Sequence, residues 1–378
     1  MEIPFHKPYI TDDEINAVTL CLRNGWLTMG PKTFEFEERV AKLVGAKYAV
    51  AVNSGTAALH LALCCAGLEV GDEVIIPAMT FAATSEVVRY FGAKPVLADI
   101  EPDTHLIDAK KISAKITPKT KAIIPVHYAG QPCDMDEIMR IAGENDLMVI
   151  EDAAHALPAW YNGRSIGSIG HITCFSFYAT KTITTGEGGM AVTGNAEWAE
   201  KMRTLRLHGI SKDAWKRYSK DGSWKYDVTM NGFKYNTTDI ASAMGIAQLD
   251  KIDFMTAERR RVALRYTELF QDCPSLVPYT VKEGRESAWH LYPLKVNTEK
   301  SIVSRDLLYI KLKEERIMTS VHFIPLYHFS AYRNICGEPA DYPVCESVFE
   351  RTISLPLYPG MKDEEIEFVA RTVIAICG

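Results

Sequence analysis

Lys181 is the residue of this chain whose type and setting most clearly suggest chemistry. It lies in Phe175-Ser176-Phe177-Tyr178-Ala179-Thr180-Lys181-Thr182-Ile183-Thr184-Thr185-Gly186-Glu187-Gly188-Gly189, where an apolar strand ends among hydroxyls and glycines. An amine held there can be partly desolvated, which lowers its pKa and frees its lone pair to attack a carbonyl carbon. A solvated turn lysine would fit this stretch alone as well. Two further stretches change the balance: Asn53-Ser54-Gly55-Thr56-Ala57-Ala58-Leu59 and Val149-Ile150-Glu151-Asp152-Ala153-Ala154-His155. Ser54-Gly55-Thr56 lies between a strand and a helix, so the amides of Gly55, Thr56 and Ala57 would point out of a helix start toward an anion, unless Ser54 is an ordinary N-cap. Asp152 follows an apolar run and offers a buried carboxylate, with Glu151 its competitor on the opposite strand face. A lysine, an anion cradle and a buried carboxylate are together what a pyridoxal phosphate site requires.

Between about residues 34 and 250 helices and strands alternate. Helical spacing covers 34–43, 56–66, 84–91 and 135–145, and short apolar strands cover 48–52, 73–77, 95–98, 122–126 and 147–150. Continuous apolar strands separated by helices predict a mostly parallel sheet covered on both faces, an α/β fold whose ligands sit at the carboxyl ends of the strands. The motifs at Ser54, Asp152 and Lys181 each follow such a strand. Beyond Leu249 the pattern changes to helices at 256–270, 304–315 and 364–376 and a strand at 289–296, predicting a small α+β domain. The expected division is therefore 1–250 and 251–378. The run Glu258-Arg259-Arg260-Arg261 reads as a solvated helix face or an inter-domain contact.

The 378 residues are 47% hydrophobic and 24% charged, ample for a core. A net charge of −6 with no gathered basic block argues against a nucleic-acid partner. No basic-then-apolar leader and no run of about 18 apolar residues occurs, so a cytoplasmic protein without membrane spans is expected. The nine cysteines form no CxxC pair, so reduced thiols are expected and no metal site.

The chain resembles the DegT/DnrJ/EryC1/StrS group of pyridoxal phosphate sugar aminotransferases. The resemblance runs from Pro4-Phe5-His6-Lys7-Pro8 through Gly25-Trp26-Leu27-Thr28-Met29-Gly30-Pro31 and the three stretches above. It continues to Lys234-Tyr235-Asn236-Thr237-Thr238-Asp239 and Ser354-Leu355-Pro356-Leu357-Tyr358-Pro359, nearly the whole chain. It implies a fold type I, aspartate aminotransferase-like architecture and a homodimer with shared sites. Within that resemblance, Gly55, Thr56, Ala57 and Ser176 hold the cofactor phosphate, and Asn236 reaches it from the neighbouring subunit. Asp152 pairs with the pyridinium nitrogen, Phe81 stacks on the ring, and Lys181 binds the cofactor and moves the proton. His155 lies close enough to touch the ring or its 3′ oxygen, although a structural histidine fits there too.

On the substrate side, Lys7, Trp26, Leu27, Thr28 and His322 resemble a nucleotide-sugar entrance, and His127-Tyr128-Ala129-Gly130 follows another parallel strand near the pocket. A lysine at 181, where a related dehydratase branch has histidine, and a histidine at 155, where the C3 branch usually has glutamine, resemble the C4 branch. Its 4-amino-4-deoxy-L-arabinose and perosamine synthases are the nearest types, with Tyr178 and Thr180 departing from both. The activity implied is transfer of an amino group from L-glutamate to C4 of a 4-keto nucleotide sugar for polysaccharide, lipid A or glycan synthesis. The alternatives are a C3-keto sugar or ketocyclitol aminotransferase of an antibiotic pathway, or a regulatory or scaffold member that keeps only the fold.

Overall fold

The structure is a computed structural model that describes residues 1–210 and 226–378. The chain opens with helices α1 (Asp12–Asn24) and α2 (Pro31–Val44), then strand β1 (Tyr48–Val52) and helix α3 (Gly55–Ala66). Next come β2 (Glu73–Pro77), α4 (Ala82–Arg89), β3 (Lys94–Ala98), the short α5 (Ala109–Ile112), β4 (Thr120–Ile123), α6 (Met135–Glu144) and β5 (Met148–Asp152). A ribbon pair β6 (Trp160–Tyr161) and β7 (Arg164–Ser165) precedes β8 (Ile172–Ser176), β9 (Gly189–Thr193) and α7 (Ala196–Leu205). The remainder is α8 (Asp239–Leu249), α9 (Ile252–Phe270), β10 (Leu276–Pro278), β11 (Arg285–Glu286), β12 (Tyr292–Val296), α10 (Arg305–Glu314), α11 (Pro343–Arg351), β13 (Thr352–Leu355) and α12 (Asp363–Cys377).

Seven strands form one sheet in the order β1-β9-β8-β5-β4-β2-β3. The pairs from β8 to β3 are parallel, and β9 alone runs against its neighbours β1 and β8. The strands are buried on both faces, as Val50, Ile75, Ile123, Ile150 and Phe175 illustrate, which is why they read as unbroken apolar runs. A second, antiparallel sheet has the order β10-β12-β13. Near the start of the chain Ile3 forms an isolated parallel bridge with Ile317, and β11 reaches back to pair with β6. No helix among the described residues is long and apolar enough to cross a membrane.

Two expectations are corrected. The strand expected at 289–296 begins only at Tyr292, because Trp289 takes a left-handed φ of 47° that no strand residue can adopt. In the basic run on α9, Arg259 is 1% exposed instead of solvated, while Arg261 pairs with Glu258 at 3.0 Å as a surface residue does. Charge in a sequence window does not say which helical positions face inward.

The two stretches Gly25–Pro31 and Lys234–Asp239, far apart in sequence, meet at one carboxylate. Asp239 accepts from the amides of Gly30 at 2.7 Å, Lys32 at 3.1 Å and Thr33 at 3.0 Å, and from the Thr33 hydroxyl at 2.7 Å. It thereby satisfies the open amides at the start of α2, a role that Gly30 at the N-cap has no side chain to perform. Asp239→Ala should lower stability by about 2–4 kcal/mol, since it leaves several buried donors unpaired. Urea unfolding followed by far-UV circular dichroism measures this, and a loss below about 1 kcal/mol would show that α2 does not depend on the cap.

Candidate active site

The parallel topology brings the carboxyl ends of β1, β5 and β8 to one place. There they open on a cavity of about 390 Å³ lined by Ser54, Gly55, Thr56, Phe81, Asp152, His155, Ser176, Lys181 and His322 among others. The residues that sequence reasoning selected from three separate strands thus share one pocket.

The α3 start supplies the anion cradle. Ser54 does cap the helix, accepting the Ala57 amide at 3.1 Å, so that amide is committed and Ala57 does not line the cavity. The amides of Gly55 and Thr56 have no hydrogen bond among the described residues. Ser176 sits directly across: a Cβ at position 55 would come within 2.9 Å of the Ser176 Cβ, so only glycine lets helix start and hydroxyl approach this closely. The Ser176 oxygen accepts the Tyr178 amide at 3.4 Å, which leaves its O–H to donate into the cavity.

Asp152 ends β5. Its carboxylate accepts the Thr84 hydroxyl at 2.8 Å and the Ala154 amide at 3.2 Å, and Thr84 is in turn braced by Thr80 at 2.7 Å. Burial pushes its pKa up, while these donors and the charge of Lys181 act in the other direction. No cation pairs with it directly among the described residues, so a buried anion faces the cavity with acceptor capacity to spare. Its neighbour Glu151, on the other face, is consumed in a network of its own. It accepts from His127 at 2.8 Å, Thr173 at 2.7 Å and Gly170 at 2.8 Å, and the His127 contact helps to hold its pKa down against burial. Strand alternation therefore separates the two carboxylates by role.

Lys181 has no side-chain hydrogen bond or ion pair among the described residues. Burial lowers its pKa to about 8, with the Asp152 charge opposing the shift. Three histidines, His155, His290 and His322, line the same cavity. Burial, with the charge of Lys181, keeps His155 well below its ordinary value and His322 near about 4. The Nδ1 of His155 is buried without a partner, and its ring lies 5.8 Å from Phe323 and 4.2 Å from His290. His322 is held by Ser354 at 2.9 Å. Phe81, 61% exposed, caps α4 at the rim and packs 5.9 Å from Phe323.

Other expected residues lie elsewhere in the single chain. Trp26 lines a separate groove between α1 and α8, and Lys7 lines a pocket with Tyr9 and Tyr358. Leu27 is exposed and Thr28 offers its carbonyl to the Asp239 amide at 3.1 Å. Asn236 bonds to Lys234 at 2.5 Å and to the Thr237 carbonyl, outside the cavity. Residues that sequence reasoning did not select as site residues but that line the cavity include His290, Phe323, Tyr178, Thr180 and Glu187. Thr84, which bonds Asp152, was legible only as a helix position.

Pyridoxal phosphate fits these donors. Two free helix-start amides and a serine O–H suit a phosphate, the unpaired Asp152 carboxylate suits a protonated ring nitrogen, and a desolvated amine suits a carbonyl carbon. A parallel-sheet fold of this type with such a pocket defines an aminotransferase dependent on pyridoxal phosphate. The chain belongs to the DegT/DnrJ/EryC1/StrS aminotransferase family, whose profile matches residues 8–374. It is 48% identical over 374 residues to the spore coat polysaccharide biosynthesis protein SpsC of Bacillus subtilis, covering 98% of this chain and 96% of SpsC. Among solved structures it is similar to the candidate sugar aminotransferase Spr1654 of Streptococcus pneumoniae in its pyridoxal phosphate form, with TM-score 0.93, 36% identity and coverage of 100% and 98%. PseC of Helicobacter pylori, an aminotransferase involved in pseudoaminic acid biosynthesis, matches with TM-score 0.93, 29% identity and coverage of 100% and 99%.

In protein free of cofactor, reductive methylation of Lys181, followed by peptide mass spectrometry, should titrate with a midpoint near pH 8. The Asp152 charge raises the lysine pKa, so Asp152→Asn should move that midpoint down. A midpoint that ignores the substitution would mean that the two groups do not act on each other.

Proposed function

We propose that this enzyme transfers an amino group from L-glutamate to C4 of a 4-keto nucleotide sugar, working as a homodimer with shared sites, and that the product feeds polysaccharide or glycan synthesis. The observation that carries the reading is the meeting of Lys181, Asp152 and His155 in one cavity. Similarity to SpsC supports a role in building a surface polysaccharide, and similarity to PseC supports an amino sugar as product. The dimer is supported by the position of Asn236 outside this chain's own cavity and by the exposed Phe81 and Tyr178 at its rim.

When bound, pyridoxal phosphate supplies a carbonyl carbon that takes the amino group and a ring that accepts an electron pair. Gly55, Thr56 and Ser176 would hold its phosphate, Asp152 would keep the ring nitrogen protonated, and Phe81 would cover the ring. Lys181 takes and returns the proton at the carbon that bears the migrating nitrogen, which its depressed pKa allows near neutral pH. His155 and His322, kept neutral by burial and by the Lys181 charge, can donate or accept hydrogen bonds without repelling that lysine.

Lys181→Ala should lower turnover by about 10²–10⁴ or more, the scale of a lost general base. For the substrate, protein loaded with pyridoxamine phosphate is mixed with a panel of keto sugar nucleotides while the pyridoxal absorbance is followed. Recovery with 4-keto sugars supports the proposal, and recovery confined to 3-keto sugars replaces it with the C3 reading.

A further inference from the structure

His290 enters none of the roles assigned so far, yet it lines the cavity and is only 7% exposed. Its ring lies 4.2 Å from that of His155, and its Nδ1, like that of His155, is buried without a partner. Buried polar atoms left unpaired are uncommon and ask for a reason. The backbone that presents this ring is held from two sides. On one, the loop after β4 accepts it: the Ala288 amide donates to the Gly130 carbonyl at 3.1 Å and the His290 amide to the Ala129 carbonyl at 2.9 Å. Gly130, at φ 98°, has no room for a Cβ, which would lie 2.9 Å from the His155 carbonyl and 3.0 Å from the Trp289 nitrogen. The loop carrying His155, the Gly130 loop and the His290 loop are therefore in mutual contact.

On the other side stands Arg259 of α9, fully buried and with no carboxylate partner among the described residues. Its guanidinium donates to the carbonyls of Trp289 at 3.5 Å and Leu357 at 3.4 Å. Burying an arginine without a counter-charge is expensive, and Trp289 pays a further conformational cost at its left-handed φ of 47°. The strained backbone and one of the two carbonyls that Arg259 reaches both belong to the residue that precedes His290.

We infer that His290 is a positioning residue: supported by Arg259 through the Trp289 carbonyl, it backs the His155 imidazole and fixes its orientation in the cavity. This rests on the reading that His155 faces the cofactor. The charges that act on His290 come from His155, Lys181, Arg259 and His322, all of them cationic or potentially so. With burial they hold His290 well below its ordinary pKa, so it remains a neutral ring beside a neutral ring. His6, across a small void shared with His290 and His322, is likewise lowered to about 4 by burial and by Arg259.

The test is a double-mutant cycle on binding of pyridoxal phosphate to cofactor-free protein, read by absorbance titration, for His290→Ala, His155→Ala and the pair. Each single change should weaken binding about tenfold, and the pair should be no weaker than His155→Ala alone. Effects that add, or no effect of His155→Ala, would overturn the inference. If the unaltered protein failed to bind pyridoxal phosphate, the functional reading itself would fall. Arg259→Met gives a second handle should His290→Ala not fold. Removing that positive charge lets His290 protonate more readily, so the acid limb of the kcat/KM profile should move to higher pH. An acid limb that stays in place with Arg259→Met would also count against the inference.

Discussion

Lys181 and Asp152 attract one another across the cavity without forming an ion pair. Had they met in a salt bridge, each would have satisfied the other, and neither would remain available to a ligand. Kept apart in a poorly solvated pocket, the amine loses its preference for the proton, down to about 8, and the carboxylate is left short of partners. The surrounding structure exists to maintain that separation against the cost of burying two ionisable groups. β5 and β8 are adjacent and parallel, with Asp152 level with Cys174. Lys181 lies beyond the end of β8, past Ser176. The sheet fixes Asp152, and the segment between β8 and β9 that carries Lys181 is tied down by the Phe177 amide on the Gly188 carbonyl at 2.9 Å and the Thr185 amide on the Phe177 carbonyl at 3.0 Å, which is what a site that must hold its geometry needs.

The polar groups around this pair are sorted by which face of the sheet they occupy. Glu151 and His127 spend their hydrogen-bonding capacity on each other and on Thr173 and Gly170, all within the fold. Asp152, one residue on, is anchored by the Thr84 hydroxyl on one carboxylate oxygen and the Ala154 amide on the other, and it still lines the cavity. The histidines near Lys181 follow from the same electrostatics. Burial first, and then nearby positive charge, pushes His6, His155, His290 and His322 toward the neutral form, the charge coming from Arg259 for His6 and from Lys181 among others for the remaining three. Neutral imidazoles offer hydrogen bonds without adding charge, a suitable surface for the hydroxyls of a sugar.

The second unit of the chain contributes to the pocket through backbone placement. His322 arrives on the segment between α10 and α11, held by Ser354, and His290 arrives just before β12. Arg259 of α9 braces the latter from below. The cost of an unpaired buried guanidinium and of a left-handed tryptophan makes sense when both are seen as supports for a ring that must not move.

Much of this was open to reading from residue order alone. Apolar runs at 48–52 and 73–77 coincide with β1 and β2, and the lysine, the carboxylate and the helix-start amides each announced themselves by following such a run. This works because a parallel sheet buries both faces, so its strands cannot hide among polar residues. Local pattern also put Asp152 and Glu151 on opposite faces, since alternation is a property of the strand itself, but which of the two faces a ligand was read only from the family resemblance. What it could not reveal were facts that depend on contact between distant segments. Thr84 beneath Asp152, Asp239 over the start of α2, His290 against His155 and Arg259 turned inward all join residues at least 30 positions apart, and no local spacing records such meetings. Burial decides the rest: whether Lys181 loses its proton, and whether four histidines stay neutral, depends on how much water the assembled fold excludes, and exclusion belongs to the packed structure rather than to any stretch of sequence.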